Sequence, residues 1–147
     1  MRLWHKDLIP VLPRQQLLAQ WRECCAIARN IFLNGMPNHI LVNKVMKYHF
    51  CHFMTYTQLV AEEMRNRGYN VDFDKFNKWT KGYHPDIYKH VPYNELFHDW
   101  HSVRYLRQCY HNLQEKYDCG GIPEDEWDKV ENLYRKENSY GSRNIGY

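Results

Sequence analysis

The chain has 147 residues, of which 44% are hydrophobic and 25% are charged, and its formal net charge is +3. This length supports a single domain, residues 1–147, with a real hydrophobic core. No apolar run approaches the roughly 18 residues that a membrane-spanning helix needs, so we expect no membrane partner.

Cysteine usage and the first residues predict the cellular compartment. Five cysteines are an odd number without a disulfide-framework spacing, which is typical of a reducing compartment. Arg2, Lys6 and Asp7 stand where a signal peptide would carry its apolar segment. We therefore expect a cytoplasmic protein.

Charge is distributed unevenly along the chain. Residues 1–61 contain seven Lys or Arg and two acids, whereas residues 124–137 contain six acids and three basic residues. A basic N-terminal half fits a polyanionic partner. An ordinary protein surface with a chance asymmetry explains the same counts equally well.

The first predicted helix runs from about Pro13 to Leu33 and stops at Asn34-Gly35. Apolar residues recur in it at steps of three and four, at Leu18, Trp21, Cys25, Ala28 and Phe32. Glu23 is expected opposite the centre of this stripe, where the core does not need its carboxylate. With Arg22 beside it, the ordinary interpretation is a solvated ion pair on an exposed helix face.

The next segment is ambiguous. Residues 40–46 fit either a short helix or an extended chain. Residues 48–53 are dense in aromatic and imidazole rings, which fits a base-stacking surface or a helix-packing hinge, and we favour the hinge. A second long helix is predicted over about Thr55–Arg67, with an apolar side formed by Tyr56, Val60 and Met64.

The second half of the chain is predicted to contain one short helix and two long ones. Asp72 or Asp74 is expected to cap the short helix. The third long helix is predicted to start with Asn94 as its N-cap and to end at the glycine pair 120–121. A fourth helix follows Pro123. The expected fold class is therefore all-α, a compact domain of three to four principal helices with long irregular connections.

One motif in the first helix resembles that of a known family. The pattern Leu-x-x-Gln-x-Leu-x-Ala-x-aromatic-Arg-Glu is similar to the first-helix signature of the bacteriophage pyrimidine-dimer DNA glycosylases. It is present here at Leu12, Gln15, Leu17, Ala19, Trp21, Arg22 and Glu23. The turn Arg67-Gly-Tyr-Asn-Val71 and the run Leu113-x-Glu115-Lys116 resemble the same family. The phage enzymes are shorter at the end, so residues 124–138 are expected to be an added acidic helix.

The resemblance implies two catalytic groups. In the family a free N-terminal α-amine attacks the sugar and the Glu of the motif is the catalytic carboxylate, so Met1 and Glu23 are the candidates here. An α-amine has an ordinary pKa of about 8 and supplies neutral nucleophile near pH 7. The family starts with a small residue, whereas this chain starts Met1-Arg2-Leu3, and Met1 is expected to be retained before the large Arg2.

The resemblance also implies a DNA substrate. Arg2, Gln15, Arg22 and Arg29 are the candidate DNA-binding residues. The implied partner is double-stranded DNA that contains damaged pyrimidines or abasic sites. A nucleoid-associated monomer is expected, and this chemistry requires no cofactor and no metal. Gln16 stands where the phage pattern has His, so a role for that ring is not carried over.

Two alternatives stay open at the level of the sequence. A helical module that binds nucleic acid or protein without catalysis would show the same pattern. A zinc enzyme would use the pairs His49/His52 and His98/His101, each spaced i, i+3, but zinc needs further ligands and the chain has no HExxH motif or paired CxxC.

Overall fold

A computed structural model describes residues 2–35 and 39–145, with side chains up to residue 137. The helices are α1 (Arg14–Asn34), α2 (Ile40–Val45), α3 (Phe50–Asn66), α4 (Asp74–Asn77), α5 (Val103–Asp118) and α6 (Glu124–Ile145). Short 3-10 helices cover Lys6–Val11 and Pro85–Tyr88. The described ranges contain no strand, so the all-α prediction is confirmed. None of the described helices combines the length and hydrophobicity required to cross a bilayer.

The centre of the molecule is the packing of α1 on α3. Leu17 and Ile27 of α1 are fully buried, as are Phe53 and Val60 of α3. Each such side chain contributes about 2 kcal/mol when it leaves water. α4 adds Phe76 to the same core, and α5 packs on α6. The 3-10 helix Lys6–Val11 contacts both α3 and α6, and so links the N-terminal residues to the end of the fold.

Helix ends follow the capping residues of the sequence. Gly35 ends α1 with φ 68°, and Gly68 follows α3 with φ 85°; both are left-handed conformations that glycine adopts without a Cβ penalty. α3 begins five residues earlier than predicted, because the ring of His49 accepts a hydrogen bond from the Cys51 backbone N–H at 3.1 Å. The aromatic segment 48–53 therefore leads into α3. Cys51 and Phe53 are buried, and Tyr48 and Phe50 pack partly buried against the core, which agrees with the favoured interpretation as a helix-packing segment.

The third long helix starts later than Asn94, and that part of the prediction was wrong. The N-cap of α5 is Ser102, whose side-chain oxygen accepts a hydrogen bond from the Tyr105 backbone N–H at 3.2 Å. Phe97 has φ 50°, a left-handed conformation that interrupts any right-handed helix through this region. Residues 93–100 form turns, although they still bury Leu96 and Trp100.

The buried face of α1 is displaced from the predicted stripe by about one residue, or about 100°. Leu18 and Cys25 are only half-buried and Phe32 is 43% exposed. The reason is that the buried residues 3–5 pack against α1 on the side that carries Gln20. The residues that α1 buries are Leu17, Gln20, Trp21, Cys24, Ile27, Ala28 and Ile31. Glu23 therefore stands at the edge of the buried face, half-buried, and not opposite it.

Candidate active site

The site is built around the N-terminal segment, residues 2–5, which runs across α1, α3 and α5. Leu3, Trp4 and His5 are buried, so the polar groups of their backbone need partners inside the protein. The His5 carbonyl accepts the Leu8 backbone N–H at 2.9 Å, and the other partners described below are side chains, because the segment is not part of a helix or a sheet. Three of the side chains, Gln20, Tyr56 and Tyr105, were not predicted as functional from the sequence.

Gln20 connects the N-terminal segment to Glu23. Its side chain is fully buried in α1. The amide oxygen accepts a hydrogen bond from the Trp4 backbone N–H at 2.8 Å. The amide nitrogen donates to the Arg2 carbonyl oxygen at 2.8 Å and to Glu23 Oε2 at 3.2 Å. One side chain therefore fixes the path of the backbone and the position of the carboxylate together.

Two tyrosines hold the carbonyl groups of Leu3 and Trp4. The Tyr56 hydroxyl donates to the Trp4 carbonyl at 2.6 Å and lies 3.0 Å from the Gln20 amide oxygen. The Tyr105 hydroxyl donates to the Leu3 carbonyl at 2.6 Å. Burial raises the pKa of both hydroxyl groups, so both stay protonated and act as donors. The carbonyl groups of residues 2–4 are each held by a side chain from the body of the protein.

Two neutral histidines fix the far end of the segment. The Lys6 backbone N–H donates to Nδ1 of His101 at 3.0 Å, and Nε2 of His5 donates to the His101 carbonyl at 3.0 Å. Nδ1 of His5 accepts from the Asp7 backbone N–H at 3.0 Å. Burial lowers the pKa of His101 to about 2 and also lowers the pKa of His5. Both rings are therefore neutral, with Nδ1 as an acceptor.

Glu23 is anchored through one carboxylate oxygen. Oε2 accepts the Gln20 bond and a hydrogen bond from the Arg2 backbone N–H at 3.3 Å. Within residues 2–35 and 39–137, no side chain or backbone group donates to Oε1, and no cation forms an ion pair with the carboxylate. Arg22 points to another face of α1, so the solvated ion pair that its spacing suggested does not form. These two bonds position Oε2 of Glu23, whereas Oε1 accepts no hydrogen bond from the described residues.

The candidate DNA-binding residues of α1 form one exposed strip. Gln15, Arg22 and Arg29 are each seven residues apart, so they share a face at intervals of about 10 Å. All three are exposed. The guanidinium of Arg29 lies 5.8 Å from the centre of the Trp79 ring. The strip runs beside Glu23 and offers cationic groups to a polyanion.

Arg2 divides its contacts between two elements. Its backbone N–H reaches Glu23, whereas its guanidinium lies 4.0 Å from Cys109 Sγ on α5 and 5.3 Å from the centre of the Trp4 ring. The structure thus brings Arg2 and Glu23 together and places Arg22 on the adjoining face. Gln15 and Arg29 lie on the same helix without contacting Glu23. Met1 lies outside the described residues.

The candidate zinc ligands are used elsewhere. His49 lies 3.3 Å from the Asp86 carboxylate, and Nδ1 of His52 accepts the Phe97 backbone N–H at 3.2 Å. His101 holds the Lys6 backbone, as described above. In the part of the chain that the structure describes, no three His, Cys, Asp or Glu side chains have the arrangement of a metal site.

Comparison with known proteins gives a family match over the first part of the chain, which carries some of the residues of this site. The model of the pyrimidine dimer DNA glycosylase family matches residues 1–77, slightly more than half of the chain. The matched range includes Glu23, Gln20 and Tyr56, whereas His101 and Tyr105 lie beyond it. No curated protein and no solved structure matches the chain.

Proposed function

The chain belongs to the pyrimidine dimer DNA glycosylase family, and on that premise we propose that it removes damaged pyrimidines and then cleaves the abasic strand. Membership makes it a DNA glycosylase with DNA as its substrate. The lyase step, the nucleophile and the choice of lesion are our proposal. We also propose that it acts as a cytoplasmic, nucleoid-associated monomer.

The observation that supports this mechanism best is the 3.3 Å hydrogen bond from the Arg2 backbone nitrogen to Glu23 Oε2. Three covalent bonds separate the Arg2 nitrogen from the α-amine of Met1. The α-amine is a backbone group and, unlike the amine of a lysine, is not carried on a side chain, so its position depends on the backbone that follows it. Gln20, Tyr56 and Tyr105 hold the backbone directly after it.

The reaction follows from the chemistry of an amine and a carboxylate. The α-amine attacks C1′ of the damaged nucleotide, the N–C1′ bond forms, and the glycosidic bond breaks, so that the base leaves with a proton. Opening of the sugar ring gives an imine. Loss of a C2′ proton then expels the 3′ phosphate and breaks the strand. Glu23 stabilises the positive charge at the sugar and transfers protons through its free oxygen.

The cationic strip of α1 supplies the binding energy in this proposal. Contacts from Arg22, Arg29 and Gln15 to phosphates position a duplex without reading its sequence. Enzymes that act on a base in a duplex move a nucleotide out of the stack, at a cost of a few kcal/mol. Phosphate contacts on both sides of the lesion offset that cost.

Borohydride trapping tests the proposal. The full chain is incubated with a duplex that contains an abasic site, together with sodium borohydride, which reduces an imine to a stable amine. We expect a covalent adduct that maps to Met1 by mass spectrometry. Chemical acetylation of the α-amine should abolish the adduct, and Glu23→Gln should reduce its rate at least 100-fold. Glu62→Gln, at an exposed position on α3, is the matched control and should trap normally.

Three outcomes contradict parts of the proposal. An adduct on a lysine would overturn the assignment of Met1. Normal trapping by Glu23→Gln would overturn the role of the carboxylate. Tight binding without any adduct would indicate the alternative, a helical module that binds DNA without the lyase activity.

A further inference from the structure

A cleft between α2 and α5 forms a second positively charged surface. Its cavity volume is about 730 Å³. We call it the α2–α5 cleft, and the residues that matter for its chemistry are Lys44, Lys47, Asp99, Trp100, Arg104 and Tyr105. Residues 78–147, which supply its α5 side, lie outside the family match.

The charges of the cleft are available to a ligand. Lys44, Lys47 and Arg104 are exposed, and none of the three lies within 4.0 Å of a carboxylate in the described residues. The acid in the lining, Asp99, lies 3.4 Å from its neighbour His98. Three free cations around one cavity favour a ligand with several negative charges.

The wall of the cleft is aromatic and rigid. Trp100 is almost completely buried, and the ammonium group of Lys44 lies 5.3 Å from the centre of its ring. The hydroxyl of Tyr48 accepts a hydrogen bond from the Trp100 backbone N–H at 3.1 Å. A fixed wall with exposed cations at its edges fits a sugar–phosphate backbone, whose charges repeat along its length.

Tyr105 joins the cleft to the candidate active site. Its ring lines the cleft, and its hydroxyl holds the Leu3 carbonyl. The Arg2 guanidinium reaches Cys109, one helical turn further along α5. Only the Tyr105 side chain therefore separates a DNA strand in the cleft from the N-terminal segment, whose Arg2 backbone contacts Glu23.

We infer that the α2–α5 cleft binds the phosphate backbone of the DNA whose damaged nucleotide is at Glu23. This inference rests on the proposed function for the position of the reacting nucleotide. It adds a second contact surface, on α2 and α5, to the strip on α1. The two surfaces lie on different elements, so in this inference each contacts its own set of phosphates.

The salt dependence of binding tests this inference. The cleft variant is Lys44→Gln/Lys47→Gln/Arg104→Gln. The control variant is Arg107→Gln/Lys116→Gln/Lys129→Gln, which removes the same charge at exposed positions outside the cleft. Binding is measured to a duplex with a tetrahydrofuran abasic analogue, which cannot form an imine. Each phosphate contact contributes about 0.9 to the slope of log Kd against log salt, so the slope should fall by two to three in the cleft variant. The control should keep the wild-type slope.

Neutral linkages locate the contacts. A single methylphosphonate is placed at each position around the analogue, in either strand. At two or three positions the neutral linkage should weaken wild-type binding several-fold and leave the cleft variant unaffected. The inference is wrong if the neutral linkage weakens binding of the wild type and of the cleft variant equally at every position. It is also wrong if the cleft and control variants have equal salt slopes.

The two proposals fail in different ways. Trapping with borohydride reports on the imine chemistry of the wild-type chain and does not depend on the cleft variant. A wild-type adduct together with normal salt dependence in the cleft variant overturns the cleft alone. Loss of salt dependence in the cleft variant, without any wild-type adduct, overturns the lyase mechanism and leaves the cleft as a DNA-binding surface.

Discussion

At the scale of single residues, the most informative group is the amide of Gln20. It stands in a helix face that is otherwise apolar, and it donates hydrogen bonds to both the Arg2 carbonyl and the Glu23 carboxylate. A glutamine at a buried helix position is a recognisable signal. It is visible in the sequence only when the buried stripe is centred correctly, and the stripe predicted from Leu18 and Phe32 was not.

Gln20→Met keeps the size of the side chain and removes its hydrogen bonds. We expect the free energy of unfolding to fall by about 3 kcal/mol, because the Trp4 N–H and the Arg2 carbonyl lose their buried partner. We also expect adduct formation to be at least tenfold slower, with an unchanged Kd for the abasic analogue. In the proposed mechanism Gln20 positions Glu23 and the N-terminal backbone, and its buried side chain does not contact DNA.

The control for this substitution is Gln58→Met, at an exposed position on α3. It should change neither stability nor trapping. Equal trapping rates for Gln20→Met and the wild type, measured at a temperature where both are folded, would show that Gln20 serves the fold only.

His101 predicts an acid-sensitive fold. Its folded-state pKa of about 2 lies below its ordinary value of 6.5, because burial penalises the charged ring. The neutral ring therefore contributes full stability above pH 6.5, and this contribution is lost as the pH falls from 6.5 towards 2. Between pH 7 and pH 5 the loss from His101 alone is about 2 kcal/mol, and His5 adds to it in the same direction.

Chemical denaturation of the wild type and His101→Asn at both pH values measures this loss. Asn offers a carbonyl oxygen near the position of Nδ1, so it can still accept the Lys6 N–H, but it does not titrate. Between pH 7 and pH 5, the free energy of unfolding of His101→Asn should fall by about 2 kcal/mol less than that of the wild type. His90→Asn, at an exposed position, should behave as the wild type does. An identical loss in His101→Asn would assign the acid sensitivity to other groups.

At the scale of helices, local sequence predicted most elements and missed the ones that depend on tertiary contacts. α1 ends one residue from its predicted end, because Gly35 marks the stop. The 3-10 helix Lys6–Val11 has no periodicity to reveal it, since it contains Pro10 and is held by contacts to α3 and α6. Asn94 has the chemistry of an N-cap, but the left-handed Phe97 after it excludes a helix there.

The start of α5 gives a prediction at this scale. Ser102→Ala removes the side-chain acceptor for the Tyr105 N–H and should reduce the free energy of unfolding by about 1 kcal/mol. Ser102→Asp supplies an acceptor again and should restore most of the loss. The measurement is denaturant unfolding of the three proteins. Full stability in Ser102→Ala would mean that packing, and not the cap, defines the start of α5.

At the scale of the whole molecule, the site is a product of contacts between distant parts of the chain. The Tyr105 hydroxyl and the Leu3 carbonyl are 102 residues apart in sequence, and His101 and Lys6 are 95 apart. Such pairs leave no periodic signal, so only the motif around Arg22 and Glu23 could be recognised in advance. The motif pointed to Glu23 as the candidate carboxylate, whereas the residues that hold the first segment against it became visible only in three dimensions.

This arrangement predicts that backbone amides at the beginning of the chain are unusually well protected from hydrogen exchange. Terminal residues of most proteins fray, but the Trp4 and Lys6 amide groups are buried and hydrogen-bonded to side chains of α1 and of the turn before α5. Hydrogen exchange followed by NMR should show both amides among the slowest in the protein, exchanging only on global unfolding. Rapid exchange at Trp4 would show that the segment detaches from the body.

The buried start of the chain also has a practical consequence for recombinant work. Leu3 is fully buried and the Arg2 backbone touches the carboxylate, so any residues added ahead of Met1 emerge directly beside Glu23. An affinity tag fused there converts the α-amine to an amide, which cannot act as the nucleophile of the proposed mechanism. By that mechanism, a preparation that keeps such a tag would fail the trapping test, whereas the same chain with a free N-terminus would pass it.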